Sequence, residues 1–343
     1  MGTPGIDEAR VSRWLADEVG LVAPLSFALV AGGRSNLTFR VEDANGSAVA
    51  LRRPPVSHVL PTAHDMVREH TVISALGPTG VPVPEALALC LDDEVTGAPF
   101  YVMEFVEGAI LRDRATAEAL VPEADRGEIG PSLARTLAGL HAVDVDAAGL
   151  GALARRDGYA ERQLRRWRAQ YEQTRDAGEE SPGLVESVAA ALAADVPAAQ
   201  RVAVVHGDYR LDNTVLGPDG SVRAILDWEI CTLGDPLADV GLFLDYWAEP
   251  SDPTAPLLGA APTTAPGFAA RDDVLDAYAG ASDLDLSDVA YWRAFGYWKL
   301  ACILQGVYAR YRAGATAGDP GSVAEFPRHI TLLAQMALET VEH

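Results

Sequence analysis

The sequence predicts an α+β fold in two lobes, a small antiparallel β-sheet with a helix followed by a larger, mainly helical lobe. Three observations predict it. Short strand patterns bounded by Gly, Pro and Asn crowd ahead of Gly108. Long Ala-, Leu- and Arg-rich stretches of helical period follow that point. The chain has 343 residues, length for about two domains, and its 49% hydrophobic and 22% charged residues are globular composition with ample apolar material for a core. The expected division is residues 1–106 and 107–343, with the seam near 104–108.

The elements follow in order. Ile6, Val11, Trp14, Leu15 and Val19 at helical spacing predict a helix over 7–20. Residues 25–30 and 37–42 read as strands around the turn Ala31–Asn36, and Asn45-Gly46 is a hairpin signal leading into a strand over Ala48–Arg52, which Pro54-Pro55 ends. A helix over 63–76 stops at Gly77-Pro78. Strands over 86–91 and 99–105 are joined by the turn-rich segment Asp92–Gly97. Helical stretches then lie near 128–141, 157–175, 183–194, 236–247, 271–279 and 287–313. The Pro-, Ala- and Thr-rich stretch 249–268 reads as a surface loop.

Charge narrows the function. The chain carries 27 basic and 49 acidic residues, a formal charge of −22. Nucleic acid and anionic membranes need clustered Lys and Arg, so neither is expected as a partner. Cys90, Cys231 and Cys302 are far apart and form no CxxC pair, which predicts a reducing, cytoplasmic setting. Asp7 and Glu8 leave no signal-peptide pattern at the start, and the uncharged run 254–270 is broken by Pro256, Pro262 and Pro266, so it reads as loop rather than membrane span.

The strongest motif is Val204-Val205-His206-Gly207-Asp208, with Asn213 five residues after the Asp and Ala224-Ile225-Leu226-Asp227 closing a second apolar run. Gly217-Pro218-Asp219-Gly220 between them is turn chemistry. Two carboxylates and one carboxamide are thereby presented at neighbouring strand ends. Phosphoryl transfer needs such a set: a carboxylate to take a hydroxyl proton and hard oxygen ligands for Mg²⁺. Loop-capping Asp and Asn residues are the bland alternative.

This pattern resembles the aminoglycoside phosphotransferase/choline kinase family, a branch of the protein-kinase-like fold. The resemblance implies that ATP and Mg²⁺ are used, that Asp208 is the catalytic base, that Asn213 and Asp227 hold the metal, and that His206 supports the loop. Thr232–Asp239 downstream is also similar to the family. Asp235 reads as an N-cap ahead of Pro236, and Asp239 as a cap or an internally paired group. Leu137-x-x-Leu140-His141 fits the family's pattern, with His141 a capping or core residue.

The first lobe adds a nucleotide site. Gly32-Gly33-Arg34-Ser35-Asn36 lies between two strand patterns, where small residues let backbone amides and the Ser35 hydroxyl approach phosphate oxygens; a plain hairpin turn is the alternative. Val49-Ala50-Leu51-Arg52 stands where kinase-like folds have Val-Ala-Ile-Lys. Alternation puts Ala50 and Arg52 on one face, room for adenine beside a phosphate contact, and Arg53 on the other. Arg in place of Lys is a departure, because a planar fork is not a point charge. The resemblance assigns Glu69 as the carboxylate that pairs with Arg52, and Glu104, Phe105 and Val106 as a hinge whose backbone binds adenine. His64 and His70 are not spaced i, i+4, so the group His64, Asp65, Glu69 and His70 is not read as a metal site.

On the acceptor side, Arg162, Arg165, Arg166 and Arg168 make a basic helix face, either solvated or holding an anionic group of the substrate. Trp247, Tyr291, Trp292, Tyr297 and Trp298 are core or pocket lining. Gly32-Gly33-x-Ser35-Asn36 with Leu51-Arg52-x-Pro54-Pro55 is similar to the kinase-like domains fused to some acyl-CoA dehydrogenases and to their stand-alone bacterial relatives. The expected function is ATP- and Mg²⁺-dependent transfer of the γ-phosphoryl group to a hydroxyl of a small molecule, with a hydroxyacyl compound as acceptor. The alternative is a catalytically weak nucleotide-binding pseudokinase that regulates a partner, and Arg52 is its best support.

Overall fold

The computed structural model describes residues 3–30, 36–55, 65–175, 182–255, 261–314 and 323–342. The elements open with α1 (Glu8–Glu18), β1 (Ser26–Leu29), β2 (Leu37–Glu42), β3 (Ala48–Arg53), α2 (Met66–Leu76), β4 (Ala86–Cys90), α3 (Asp93–Thr96) and β5 (Phe100–Glu104). Then come α4 (Arg114–Leu120), α5 (Ile129–His141), α6 (Tyr159–Thr174), α7 (Pro182–Ala194), β6 (Ala203–Val205), β7 (Thr214–Leu216), β8 (Val222–Ile225) and β9 (Thr232–Gly234). The chain closes with α8 (Leu237–Tyr246), α9 (Arg271–Ala281), α10 (Val289–Arg312) and α11 (Phe326–Glu342). Two compact units result. The first is Met1–Gly108 with Ala148–Leu150 and Arg223–Ile230; the second is Ala109–Ala147, Gly151–Val222 and Cys231–His343.

The first unit is built on an antiparallel sheet ordered β1-β2-β3-β5-β4. Alternation along β3 sorts its side chains. Val49 and Leu51 join Phe39, Val41, Phe100 and Val102 in the core that Val11 and Leu15 of α1 cover. Ala50 and Arg52 face the other way, and Arg52 pairs in register with Tyr101 of β5. The β2–β3 hairpin is fixed by Asp43, whose carboxylate accepts from the backbone N–H of Asn45 and of Ser47, both at 2.8 Å. Gly46 takes φ 83°, the left-handed conformation the Asn-Gly turn requires. Asp65 caps α2 by accepting from Arg68 N at 3.0 Å, so the helix begins at Met66 rather than 63.

Two expectations are corrected here. Asp92–Gly97 is no plain turn, because Asp92 accepts from Glu94 N at 2.8 Å and caps the short helix α3. The 249–268 stretch is not simply a surface loop. Among its described residues, Thr254, Ala255, Ala261, Thr263 and Ala265 are buried, and the Thr263 hydroxyl donates to Ala248 O at 2.7 Å.

The second unit packs its helices around the long α10. Gly241 of α8 sits where a Cβ would collide with the backbone of Trp292, so the two helices cross at backbone contact. The aromatic residues of α10 fill this core: Trp292, Tyr297 and Trp298 are each no more than 1% exposed. β6 pairs antiparallel with β9 beneath them, and all three residues of β6 are fully buried. Among the described residues no helix is long and apolar enough to cross a membrane.

Candidate active site

In the second unit, the buried strand β6 runs straight into His206-Gly207-Asp208. Gly207 adopts φ 86°, a turn that only glycine enters at no steric cost. Asp239 of α8 receives the loop. Its carboxylate is fully buried and accepts from His206 N at 2.6 Å, from Gly207 N at 2.7 Å and lies 3.3 Å from His141 Nε2. Burial pushes the Asp239 carboxyl upward, but these donors outweigh it and hold it below its ordinary range. Asp239 is therefore the internally paired group, and it positions the loop. Asp235 accepts from Leu237 N at 2.9 Å at the start of α8, and burial raises its carboxyl to about 6.

The loop aims Asp208. Its N–H donates to Nδ1 of His206 at 3.2 Å. Its carboxylate, 29% exposed, accepts from Tyr246 OH at 2.9 Å and Asn213 Nδ2 at 2.9 Å, with Arg210 Nε 3.4 Å away. Asn213 Nδ2 also donates to the Asp208 carbonyl at 2.9 Å. The Tyr246 hydroxyl is pushed well above its usual range by burial and by the Asp208 charge, so it stays a donor. A small cavity of about 30 Å³ borders this group, lined by Leu111, Arg112, Arg210, Tyr246, Trp247 and Pro262, among others.

In the first unit a second polar cluster is buried. Arg52 Nε donates to Glu69 Oε2 at 2.8 Å, its Nη2 pairs with Asp227, and Nη1 lies 3.4 Å from Thr38 Oγ1. Glu69 is 1% exposed and also accepts from Tyr101 OH at 3.0 Å and Asn36 Nδ2 at 3.1 Å. Asn36 reaches Glu229 as well, at 3.2 Å. Burial would lower the Arg52 guanidinium, but Glu69 and Asp227 hold it firmly charged. Asp227 stands at φ 64°, the sole non-glycine residue at positive φ among the described residues. A left-handed Asp at the end of β8 is a backbone cost kept where the carboxylate direction matters.

The sequence-predicted residues fall out as follows. Arg52, Glu69, Asn36 and Asp227 come together in the first unit, and Asp208 with Asn213 in the second. Ala50 is 4% exposed on the Arg52 face of β3. Arg53 faces away and donates to Thr96 O at 3.1 Å. In the segment expected to bind adenine, Glu104 N already donates to Glu85 O at 2.8 Å, and Phe105 packs under Arg40, while Val106 is half-buried. Gly32, Gly33, Arg34 and Ser35 lie outside the described residues, as does His64. Asp65 caps α2 and His70 packs edge-on to Tyr101, so they make no metal site with Glu69. His141 is a core residue bonded to Tyr278 OH at 2.8 Å. On α6, Arg162 and Arg165 line an open surface depression with Arg155 and Arg156, and Arg168 pairs with Glu172 at 2.9 Å. Of the aromatic candidates, Trp247 lines the cavity beside Tyr246.

Sequence reasoning missed Tyr101, Tyr246, Arg112, Arg210 and Lys299. Most carry no local pattern, since a Tyr at a helix end or inside a strand reads as core. Lys299 did carry a signal: of the 27 basic residues 26 are arginine, and it is the one lysine.

Asn213 has an amide oxygen besides the nitrogen that serves Asp208, and Asp227 has a second carboxylate oxygen besides the one paired with Arg52. Both are hard oxygen donors of the kind Mg²⁺ takes, one or two protein ligands with the rest from substrate and water. Among the described residues no cluster of three or more His, Cys, Asp and Glu forms an all-protein metal cage.

The phosphotransferase enzyme family designated APH matches residues 26–279. The chain belongs to this family. It is similar to mouse acyl-CoA dehydrogenase family member 10, 34% identical over 334 residues, covering 94% of this chain and 30% of the mouse protein. It is 35% identical over 326 residues to chicken acyl-CoA dehydrogenase family member 11, covering 92% of this chain and 40% of that protein. The chain thus spans well under half the length of these relatives. A solved structure from Ralstonia eutropha, provisionally named an aminoglycoside phosphotransferase, is 31% identical with a TM-score of 0.79, each chain covered to 98%. A spectinomycin phosphotransferase solved with ADP and spectinomycin shares the fold at 10% identity, TM-score 0.63 and 98% coverage of both chains. The small antiparallel sheet and the helical unit are the protein-kinase-like fold.

Proposed function

We propose that this family member transfers the γ-phosphoryl group of ATP, with Mg²⁺, to a hydroxyl of a small hydroxylated acyl compound. The observation that carries the reading is the Asp208 carboxylate, fixed by Tyr246 and Asn213 at 2.9 Å each, beside a cavity walled by Arg112 and Arg210. Asp208 accepts the proton of the acceptor hydroxyl as the new O–P bond forms and the bond to the leaving phosphate breaks, a contribution of about 10²–10⁴-fold. Tyr246 and Asn213 hold the carboxylate so that little reorganisation accompanies the step. Arg52, locked by Glu69, contacts the remaining phosphates as a planar clamp. Asn213 and Asp227 would hold Mg²⁺, which when bound neutralises charge on the phosphates. Gly32, Gly33, Arg34, Ser35 and Asn36 cover the phosphates, Ala50 leaves room for adenine, and the backbone of Glu104–Val106 binds it.

The acceptor reading rests on two supports. Arg112 and Arg210 stand beside apolar Leu111, Trp247 and Pro262, with Asp212 on the same wall paired to Arg210 at 2.8 Å, and the two guanidinium groups are the contacts an anionic head on an aliphatic chain would use. The relatives that include this region are named as acyl-CoA dehydrogenases. ADP release, followed with ATP-Mg²⁺ and a panel of hydroxy acids, their CoA thioesters, aminoglycosides and choline, tests both. Turnover with hydroxyacyl members alone supports the reading, and turnover with aminoglycosides alone contradicts it.

A second reading, a pseudokinase that binds nucleotide and regulates a partner, is favoured by one observation: the Arg52 fork occupies an oxygen of Asp227. ATP binding without turnover on any acceptor would select it.

A further inference from the structure

We propose that Lys299 is a positioning residue for phosphoryl transfer, whose ammonium pins the Gly207 carbonyl and so fixes the peptide from which the Asp208 side chain departs. The inference rests on the reading of Asp208 as the base.

The residue is singular in composition. Arginine serves at 26 of the 27 basic positions, so Lys299 is the one side chain of the sequence that offers a compact ammonium instead of a planar fork. It is also singular in place. Lys299 lies inside α10 at 8% exposure, although lysine is almost never this buried without a partner. Its Nζ lies over the Trp167 ring, 5.5 Å from the centroid. Its Nζ donates to Gly207 O at 2.7 Å.

That carbonyl belongs to the peptide unit joining Gly207 to Asp208. The other end of the same unit, Asp208 N, donates to His206 Nδ1 at 3.2 Å. The peptide plane from which the Asp208 side chain departs is thus clamped at both ends, and Asp239 holds the plane before it through Gly207 N at 2.7 Å. A hydrophobic side chain at 299 would pack against Trp167 at no electrostatic cost but would leave the carbonyl without its donor. The charges facing Lys299 are Asp208 and Asp239, which favour its charged form, and Arg166, which opposes it. Burial is the larger effect and pushes the ammonium below the ordinary lysine range.

A single lysine makes the test direct. Protein labelled with ¹³C,¹⁵N-lysine gives one side-chain resonance, which is followed against pH in the wild type and in Asp208→Asn. The proposal predicts a solvent-protected ammonium that titrates below an exposed lysine and moves when the Asp208 charge is removed. An exposed-type resonance, indifferent to Asp208→Asn, overturns it. In the second arm, ADP release is measured for Lys299→Met and Lys299→Arg against the hydroxyacyl panel. Lys299→Met is expected to keep its circular dichroism and its KM for ATP while kcat falls about 10²-fold, the scale of a misplaced catalytic group, with partial recovery in Lys299→Arg. Unchanged kcat per folded molecule in Lys299→Met overturns the positioning role. If Lys299→Met does not fold, the resonance arm decides. A wild type that consumes no ATP with any acceptor refutes the kinase reading instead, and the resonance arm then decides the Lys299–Asp208 coupling by itself.

Discussion

Replacing Arg52 by Lys restores the residue that kinase-like folds have on this strand, yet the structure predicts damage. The Arg52 fork serves Glu69 through Nε at 2.8 Å and Asp227 through Nη2, with Thr38 Oγ1 3.4 Å from Nη1. A lysine ammonium is one point donor at the end of a flexible stem and cannot span both carboxylates. One charge-assisted hydrogen bond is lost, worth about 1.5–3 kcal/mol. Glu69, at 1% exposure, keeps its bonds from Tyr101 and Asn36, which places the loss near the middle of that range. Arg52→Met removes the charge entirely and strands two carboxylates, so it should cost more, about 3–5 kcal/mol. Urea unfolding followed by tryptophan fluorescence reads both: the midpoint should fall with the slope unchanged, and the KM for ATP should rise in Arg52→Lys. A midpoint equal to the wild type in Arg52→Lys, together with unchanged KM, would refute the fork as the reason for arginine here.

Gly241→Ala improves helix propensity by up to about 1 kcal/mol, but its Cβ meets the Trp292 backbone, and overpacking of about 1–3 kcal/mol should win; a thermal midpoint above the wild type would show that α8 and α10 do not cross there. Asp245 is fully buried, and burial outweighs Arg293 to raise its carboxyl from 3.8 to about 8. Between those values the native protein holds a proton that the unfolded chain has shed, so stability falls as pH rises through the window. Asp235, raised to about 6, adds a smaller effect of the same sign. Asp245→Asn should flatten the loss between pH 6 and 8 in urea titrations, and an unchanged slope would remove Asp245 as its source. Asp239→Asn puts an amide donor against His206 N or Gly207 N, so kcat should fall about 10²-fold with helix content retained; an unchanged kcat would separate the loop from α8.

Much of this was legible because local chemistry and fold agree. Asn45-Gly46 between alternating strands demanded the hairpin that Gly46 completes at φ 83°. The spacing of His206, Asp208 and Asn213 on a buried strand end was legible because the loop chemistry is local. Asp227 was visible as a carboxylate at the end of an apolar run, but its left-handed backbone was not. What the sequence hid depends on packing at a distance. Asp239 read as a cap or an internally paired group, and only its meeting with the end of β6 makes it the acceptor for two loop amides. Tyr246 and Lys299 sit 38 and 92 residues from their partners in the loop, with no periodic signal connecting them. The helix α11 was legible and went unread: its buried residues Ile330, Leu333, Ala334 and Ala337 recur at i, i+3, i+4 and i+7. The Pro- and Ala-rich insert looked solvent-facing by composition, yet its small side chains let it tuck Ala255 and Ala261 into a satellite core.

The central claim is that Asp208 takes the proton of an acceptor alcohol as phosphate moves. Phosphorus NMR of wild type and Asp208→Asn, each with ATP, Mg²⁺ and the hydroxyacyl panel, tests it most directly. A new phosphomonoester signal should grow with the wild type and be lost or slowed at least about 10²-fold in the variant, while both bind ATP alike. A monoester formed equally fast by Asp208→Asn, or none formed by the wild type from any acceptor, would contradict the account.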